Sequence, residues 1–253
     1  MKKLLAALLL TATTAGVASA NMTGFYVGVG AVTGSTTARY NDATVNGATA
    51  AAPDQSVFTT FKTDAGKTMF GGRLTAGYGM TFAGCGWFGV EAYATVLNTK
   101  FDTLNGRATA VGTQAAPSGK LTNKYNYGIE AKIGYHFTKD TVGFIGVAAE
   151  AGKYKLEWRT ENLNAAGSYL TYSASKTKVY VKPVIGVRTT GIGGNRNLFL
   201  EMKYGYGFAN RLTLRVPTAA GGAFNGANSL TGGRNVSVRP RTHELSLTIG
   251  WKF

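Results

Sequence analysis

The sequence predicts an all-β fold: a single antiparallel transmembrane β-barrel of eight strands, with short turns on one rim and long loops on the other. Three observations predict it. The chain closes on His243-Glu244-Leu245-Ser246-Leu247-Thr248-Ile249-Gly250-Trp251-Lys252-Phe253, where Leu245, Leu247, Ile249, Trp251 and Phe253 alternate with polar or small residues. That period of two belongs to a strand with one apolar and one polar face. Seven further segments alternate in the same way, and the connections between them are in turn short and long. Barrels that cross a membrane show this pattern, with the short turns periplasmic.

The elements follow in chain order. Met1-Lys2-Lys3, an apolar stretch from Leu4 to Leu10 that weakens toward Val17, and Ala18-Ser19-Ala20 read as a cleaved signal peptide over residues 1–20. The barrel then occupies residues 21–253. No later run approaches the ~18–20 apolar residues of a spanning helix, so insertion must be by strands. The first strand, Gly24–Thr33, places Phe25, Val27, Val29 and Ala31 on one face. The second, Thr68–Met80, does so with Phe70, Leu74, Ala76 and Tyr78, and the third, Trp87–Leu97, with Phe88, Val90, Ala92, Ala94 and Val96. In the fourth, Tyr125, Tyr127, Ile129, Ala131, Ile133, Tyr135 and Phe137 oppose Asn126, Gly128, Glu130, Lys132, Gly134 and His136. The fifth runs from Thr141 to Lys155, the sixth from Thr177 to Thr189, the seventh from Asn197 to Phe208, and the closing strand is the eighth. Pro183, within the sixth, removes a ladder donor and marks a local defect or bulge.

The short connections are 80–86, 138–141 and 190–196; the long ones are 34–67, 98–123, 156–176 and 209–239. Cys85, the single cysteine, lies in the first short turn and excludes an internal disulfide framework. Phe25, Tyr78, Phe88, Tyr135, Phe137, Trp251 and Phe253 fall at one end of the apolar faces. Tyr127, Tyr204, Tyr206 and Phe208 fall at the other. Two such girdles mark the two membrane interfaces.

The opposite faces carry Arg73, Glu91, Glu130, Lys132, Glu150, Lys182, Arg188, Glu201, Lys203 and Glu244. An eight-stranded barrel has an interior just wide enough for side chains to fill, and buried charges must pair. These ten residues are therefore expected to form an ion-pair network that fills the lumen. A narrow ion path through the same residues is the alternative.

The closing strand resembles that of bacterial outer-membrane β-barrel proteins. Gly24-Phe25-Tyr26-Val27-Gly28-Val29-Gly30 looks like the first strand of opacity-type surface proteins, and the charged lumen resembles the membrane domain of outer-membrane protein A. The resemblance implies a bacterial outer-membrane location and a structural or adhesive role, with a small porin-like channel as the runner-up. It also implies that Trp251 and Phe253 belong to a signal read by the barrel-insertion machinery.

The formal net charge is +15, of which Lys2 and Lys3 leave with the signal peptide. Five of the twelve acids are on the inner faces, so few remain for the loops, and the second, third and last long connections are basic. Lys120, Lys124, Lys176, Lys178, Arg211, Arg215, Arg234, Arg239 and Arg241 are expected in surface loops that attract polyanions, either lipopolysaccharide or a host glycan. Export and the lack of a binding motif argue against nucleic acid. There are two histidines, His136 and His243; neither shares a strand face with a Ser or Asp in a catalytic arrangement, so no enzyme is expected. No spacing suggests a metal or cofactor.

Overall fold

A computed structural model describes residues 22–44, 59–105, 118–161, 169–208, 212–216 and 234–253. The proposed signal peptide lies outside these residues. The strands are β1 (Gly24–Thr44), β2 (Thr59–Phe82), β3 (Gly86–Asn105), β4 (Ser118–Thr138), β5 (Thr141–Glu161), β6 (Tyr169–Thr190), β7 (Leu198–Phe208), β8 (Leu212–Val216) and β9 (Arg234–Lys252). Each pairs antiparallel with its neighbour, and β1 pairs with β9 to close the ring. β7 and β8 both pair along β9, at Trp251–Arg241 and Val238–Arg234, so nine segments make eight staves. At the seam the Phe253 N–H donates to the Phe25 carbonyl at 2.8 Å. Gly24 permits this approach: its φ is 140°, and a Cβ there would stand 2.5 Å from the Phe253 carbonyl oxygen.

The faces follow the alternation. Phe25, Val29, Phe70, Leu74, Val96, Ile129, Ile133, Ile145, Val181, Ile185, Leu247 and Ile249 are all exposed on the outside. In water that surface would be an aggregation hazard; in lipid it is the solvent-matched face. The girdle residues Phe25, Tyr78, Phe88, Tyr135, Phe137, Trp251 and Phe253 are exposed near the short-turn rim. Tyr127, Tyr204 and Phe208 are exposed toward the other rim.

The strands are much longer than expected. β1 to β6 and β9 run 19 to 24 residues, about twice the ~9–11 that a tilted strand needs to span. The ladder between β1 and β2 continues from Thr33↔Phe70 to Thr44↔Thr59, over residues expected in a loop. The reason lies in the pattern: beyond Thr33 and Phe70 the sequence no longer alternates apolar with polar residues, although the backbone pairing continues. Consequently Lys120 and Lys124 lie in β4, Lys176 and Lys178 in β6, Arg215 in β8, and Arg234, Arg239 and Arg241 in β9, none of them in a loop. Arg211 lies outside the described residues.

Two irregularities shape the wall. The register of β4 shifts between Asn123 and Tyr125, so Lys124 is the extra residue of a bulge, and both Lys124 and Tyr125 are exposed. The β6–β7 ladder runs only from Thr190↔Phe199 to Val184↔Gly205. It stops beside Pro183, whose missing N–H cannot bridge strands.

The lumen is tighter at Gly134 than its small size suggests. A Cβ there would stand 2.6 Å from the Gly143 carbonyl oxygen, so Gly134→Ser, although inward and uncharged, is not benign. Ile133→Arg, on the lipid face, is expected to cost about 2–4 kcal/mol, and Gly134→Ser about 1–3 kcal/mol by overpacking. Ala149→Val, outward and exposed, should stay within about 0.5 kcal/mol. Reversible denaturant unfolding in lipid vesicles checks all three. An Ala149→Val variant as unstable as Ile133→Arg would overturn the face assignment.

Candidate functional site

The lumen is filled in layers. At the short-turn end Met22, Trp87, Val142 and Phe144 form a buried apolar base. Toward the other end Val32, Met69 and Leu97 form a second apolar cluster. Between them lie all ten charged residues named from the sequence, none more than 4 % exposed.

They divide into two groups, each with as many cations as carboxylates. Glu91, Glu130 and Glu201 meet Lys132, Arg188 and Lys203. Lys132 Nζ lies 2.8 Å from both Glu91 and Glu201 and 3.4 Å from Glu130. Lys203 Nζ lies 2.8 Å from Glu130 and 3.2 Å from Glu91, and Arg188 lies 2.5 Å from Glu201. In the second group Glu150 and Glu244 meet Arg73 and Lys182. Arg73 pairs with Glu244, and Lys182 pairs with Glu150 and, at 3.1 Å, with Glu244. Glu91 and Glu130 are direct cross-strand partners, a repulsive pairing in isolation. The two lysines between them remove the conflict.

Aromatic and amide groups complete the lumen. The Arg188 guanidinium packs over Tyr26 at 4.0 Å and Phe199 at 4.6 Å. Tyr93 stands between the groups: Arg73 and Lys182 of the second lie over its ring at 4.5 and 5.1 Å and its hydroxyl donates to Glu150 at 2.6 Å, while Lys203 of the first lies over the ring at 5.6 Å. Tyr180 also donates to Glu150, and the Asn126 amide does so at 2.7 Å. Sequence reasoning missed Tyr26, Tyr93, Asn126 and Tyr180 as network members. Their parity was visible: Tyr93 shares a face with Glu91, Asn126 with Glu130, and Tyr180 with Lys182.

Glycines let these side chains cross a strand. Tyr26 on β1 pairs with Gly77 on β2, which pairs with Glu91 on β3. The Tyr26 ring passes over Gly77 and its hydroxyl donates to Glu91 at 3.2 Å. Tyr93 passes over Gly128 to Glu150 in the same way. Lys182 passes over Gly205 to Glu244, whose Cα pairs with that of Gly205. A side chain at any of these glycines would occupy the path.

The remaining candidates lie apart from the network. His136 is buried near the base, its Nε2 3.4 Å from Thr81 Oγ1. His243 faces outward, its Nδ1 2.7 Å from the Tyr204 hydroxyl. Trp251 and Phe253 are exposed at the short-turn rim. Of the basic residues expected to hold polyanions, Lys124, Lys176, Arg239 and Arg241 are exposed, and Lys120 and Lys178 are half-buried. Cys85 is half-buried in the first turn, its Sγ 3.7 Å from the Ala83 carbonyl.

A closed antiparallel ring, apolar outside and charge-filled inside, is a transmembrane β-barrel of the outer-membrane type. Among solved structures the chain is similar to Neisserial surface protein A, at 16 % identity over 91 % of this chain and 97 % of that one, with a TM-score of 0.37. It is similar to Ail, the attachment invasion locus protein of Yersinia pestis, crystallised with the heparin analogue sucrose octasulfate, at 12 % identity over 88 % and 99 %, TM-score 0.34. It is also similar to the outer-membrane protease OmpT of Escherichia coli, at 8 % identity over 96 % and 100 %, TM-score 0.44. Likenesses this distant assign no residue a role. No protein-family model and no curated protein matches the chain.

Removing one partner from a balanced buried group leaves an uncompensated charge, which typically costs 3–5 kcal/mol. Lys182→Met is expected to destabilise the refolded barrel by about that much, because Glu150 and Glu244 would then face Arg73 alone. Adding Glu150→Gln restores neutrality and should recover a substantial part of the loss. Unfolding midpoints of the two single variants and the double variant measure the coupling; strict additivity would refute the balanced-group description.

Proposed function

We propose that this protein is an exported bacterial outer-membrane barrel whose lumen is a static plug, and that its role is structural or adhesive at the cell surface. The observation that supports this is the pairing of every lumen charge within one of two neutral groups. A conduction path needs polar groups that can exchange a protein partner for a passing ion or water. Here each carboxylate is held by a lysine or arginine, and Glu91 and Glu150 are held by a tyrosine or amide as well. Apolar clusters lie above and below. The outward parts of the long strands, with their exposed basic residues, then supply the surface for polyanionic partners. A host glycan is one class of such partner.

Planar-bilayer recording of the refolded mature protein tests the plug. The expected result is an absence of steady openings under conditions where an open porin conducts. Regular, ohmic single-channel steps would reverse the proposal in favour of a small channel. The insertion machinery is a second proposed partner. Deleting Phe253, whose N–H joins the last strand to Phe25, is expected to lower outer-membrane yield in cells. Normal surface levels of the truncated chain would contradict that partner.

A further inference from the structure

The outward face of β9 changes character abruptly. Ile249, Leu247 and Leu245 are apolar and exposed; His243, Arg241 and Arg239 continue the same column and are exposed too. Beside them β7 presents Tyr204, Tyr206 and Phe208. In the ladder Tyr206 pairs with His243 and Phe208 with Arg241. These four rings form one packed platform. The Tyr204 hydroxyl lies 2.7 Å from His243 Nδ1, the Tyr206 and His243 centroids are 4.6 Å apart, and Tyr206 meets Phe208 edge-on at 4.3 Å. Neither Arg239 nor Arg241 pairs with a carboxylate among the described residues. Alternate residues of a strand are about 7 Å apart, so the two guanidinium groups can converge on one anion or hold two adjacent ones.

We infer that this face binds the phosphorylated headgroup of an outer-leaflet glycolipid. Arg241 and Arg239 take the phosphate, and the Tyr204–His243–Tyr206–Phe208 platform packs against the sugar and the first acyl carbons. Three features of the site point to a lipid. An arginine fork matches phosphate oxygens bidentately. Aromatic rings at the membrane boundary present an apolar body and a polar edge. The arginines also prolong a lipid-facing column, so they project sideways into the headgroup layer, where a soluble polyanion would first have to displace lipid. This inference rests on insertion of the barrel in an outer membrane, whether or not the lumen conducts, so channel activity in the bilayer recording leaves it standing.

The test titrates the refolded mature protein in non-ionic detergent micelles with three probes: bisphosphorylated lipid A, the same lipid with its phosphates removed, and a sulfated heparin fragment. Wild type is compared with Arg239→Gln/Arg241→Gln. Retention of the folded, heat-modifiable form on unheated gels confirms the barrel; both arginines face outward, so folding should survive. The double variant is expected to bind phosphorylated lipid A at least about tenfold more weakly, a loss of ~1.4 kcal/mol. It should bind the dephosphorylated lipid and the heparin fragment as wild type does. Arg241→Lys, which keeps the charge but not the fork, should fall between them and also decides the case if the double variant fails to fold. Unchanged lipid A affinity would overturn the site. So would equal wild-type binding of the dephosphorylated lipid, which would mean acyl partitioning alone. A loss confined to the heparin fragment would assign the face to soluble polyanions.

Discussion

The structure depends on charge balance inside a narrow tube filled by its own side chains. Isolated charges in a low-dielectric interior are strongly unfavourable, and attraction between partners offsets desolvation only where geometry and further hydrogen bonds are good. This barrel meets that condition by local neutrality. Three carboxylates face three cations in one group and two face two in the other. Neutrality of the lumen as a whole would have been satisfied by many arrangements; neutrality of each group restricts where every lysine and arginine must stand.

That restriction governs the backbone. Partners often lie two strands apart, and a side chain reaches across only where the strand between has no side chain of its own. Hence the recurring relay of long donor, glycine and glutamate in Tyr26–Gly77–Glu91 and Tyr93–Gly128–Glu150. The many inward glycines are therefore the complement of the large polar side chains. They are what allows an eight-stave barrel to hold ten ionised groups together with Tyr26, Tyr93, Trp87 and Phe199.

The outside obeys a different solvent at each height. Through the hydrocarbon the outer faces are Val, Ile, Leu, Ala and Phe; at the boundaries they are aromatic; beyond them the ladder continues without a sustained apolar column. The basic residues of β9 belong to this transition. As strand residues, Arg239 and Arg241 have fixed direction and fixed neighbours, which loop residues would lack. A general electrostatic attraction thereby becomes a site with a definite orientation toward the membrane.

Alternation made much of this legible in advance. A period of two, read against one apolar and one polar solvent, separated lipid-facing Ile133 from lumen-facing Lys132, and it placed all ten lumen charges on the inner side. Where that contrast ends the pattern is silent, which is why it stops the strands near Thr33, Leu97 and Lys155 and puts Arg239 and Arg241 in a loop. Sequence by itself determined the barrel, its closing strand and its two faces, because those are consequences of local periodicity. Only the tertiary structure decided which charges pair, that Tyr93 joins the two groups, that Gly134 has no room for a side chain, and that Tyr204, Tyr206 and Phe208 pack beside two arginines that meet no carboxylate among the described residues. Each of these is a distance between strands, set by barrel register and stagger, and no one-dimensional pattern contains it.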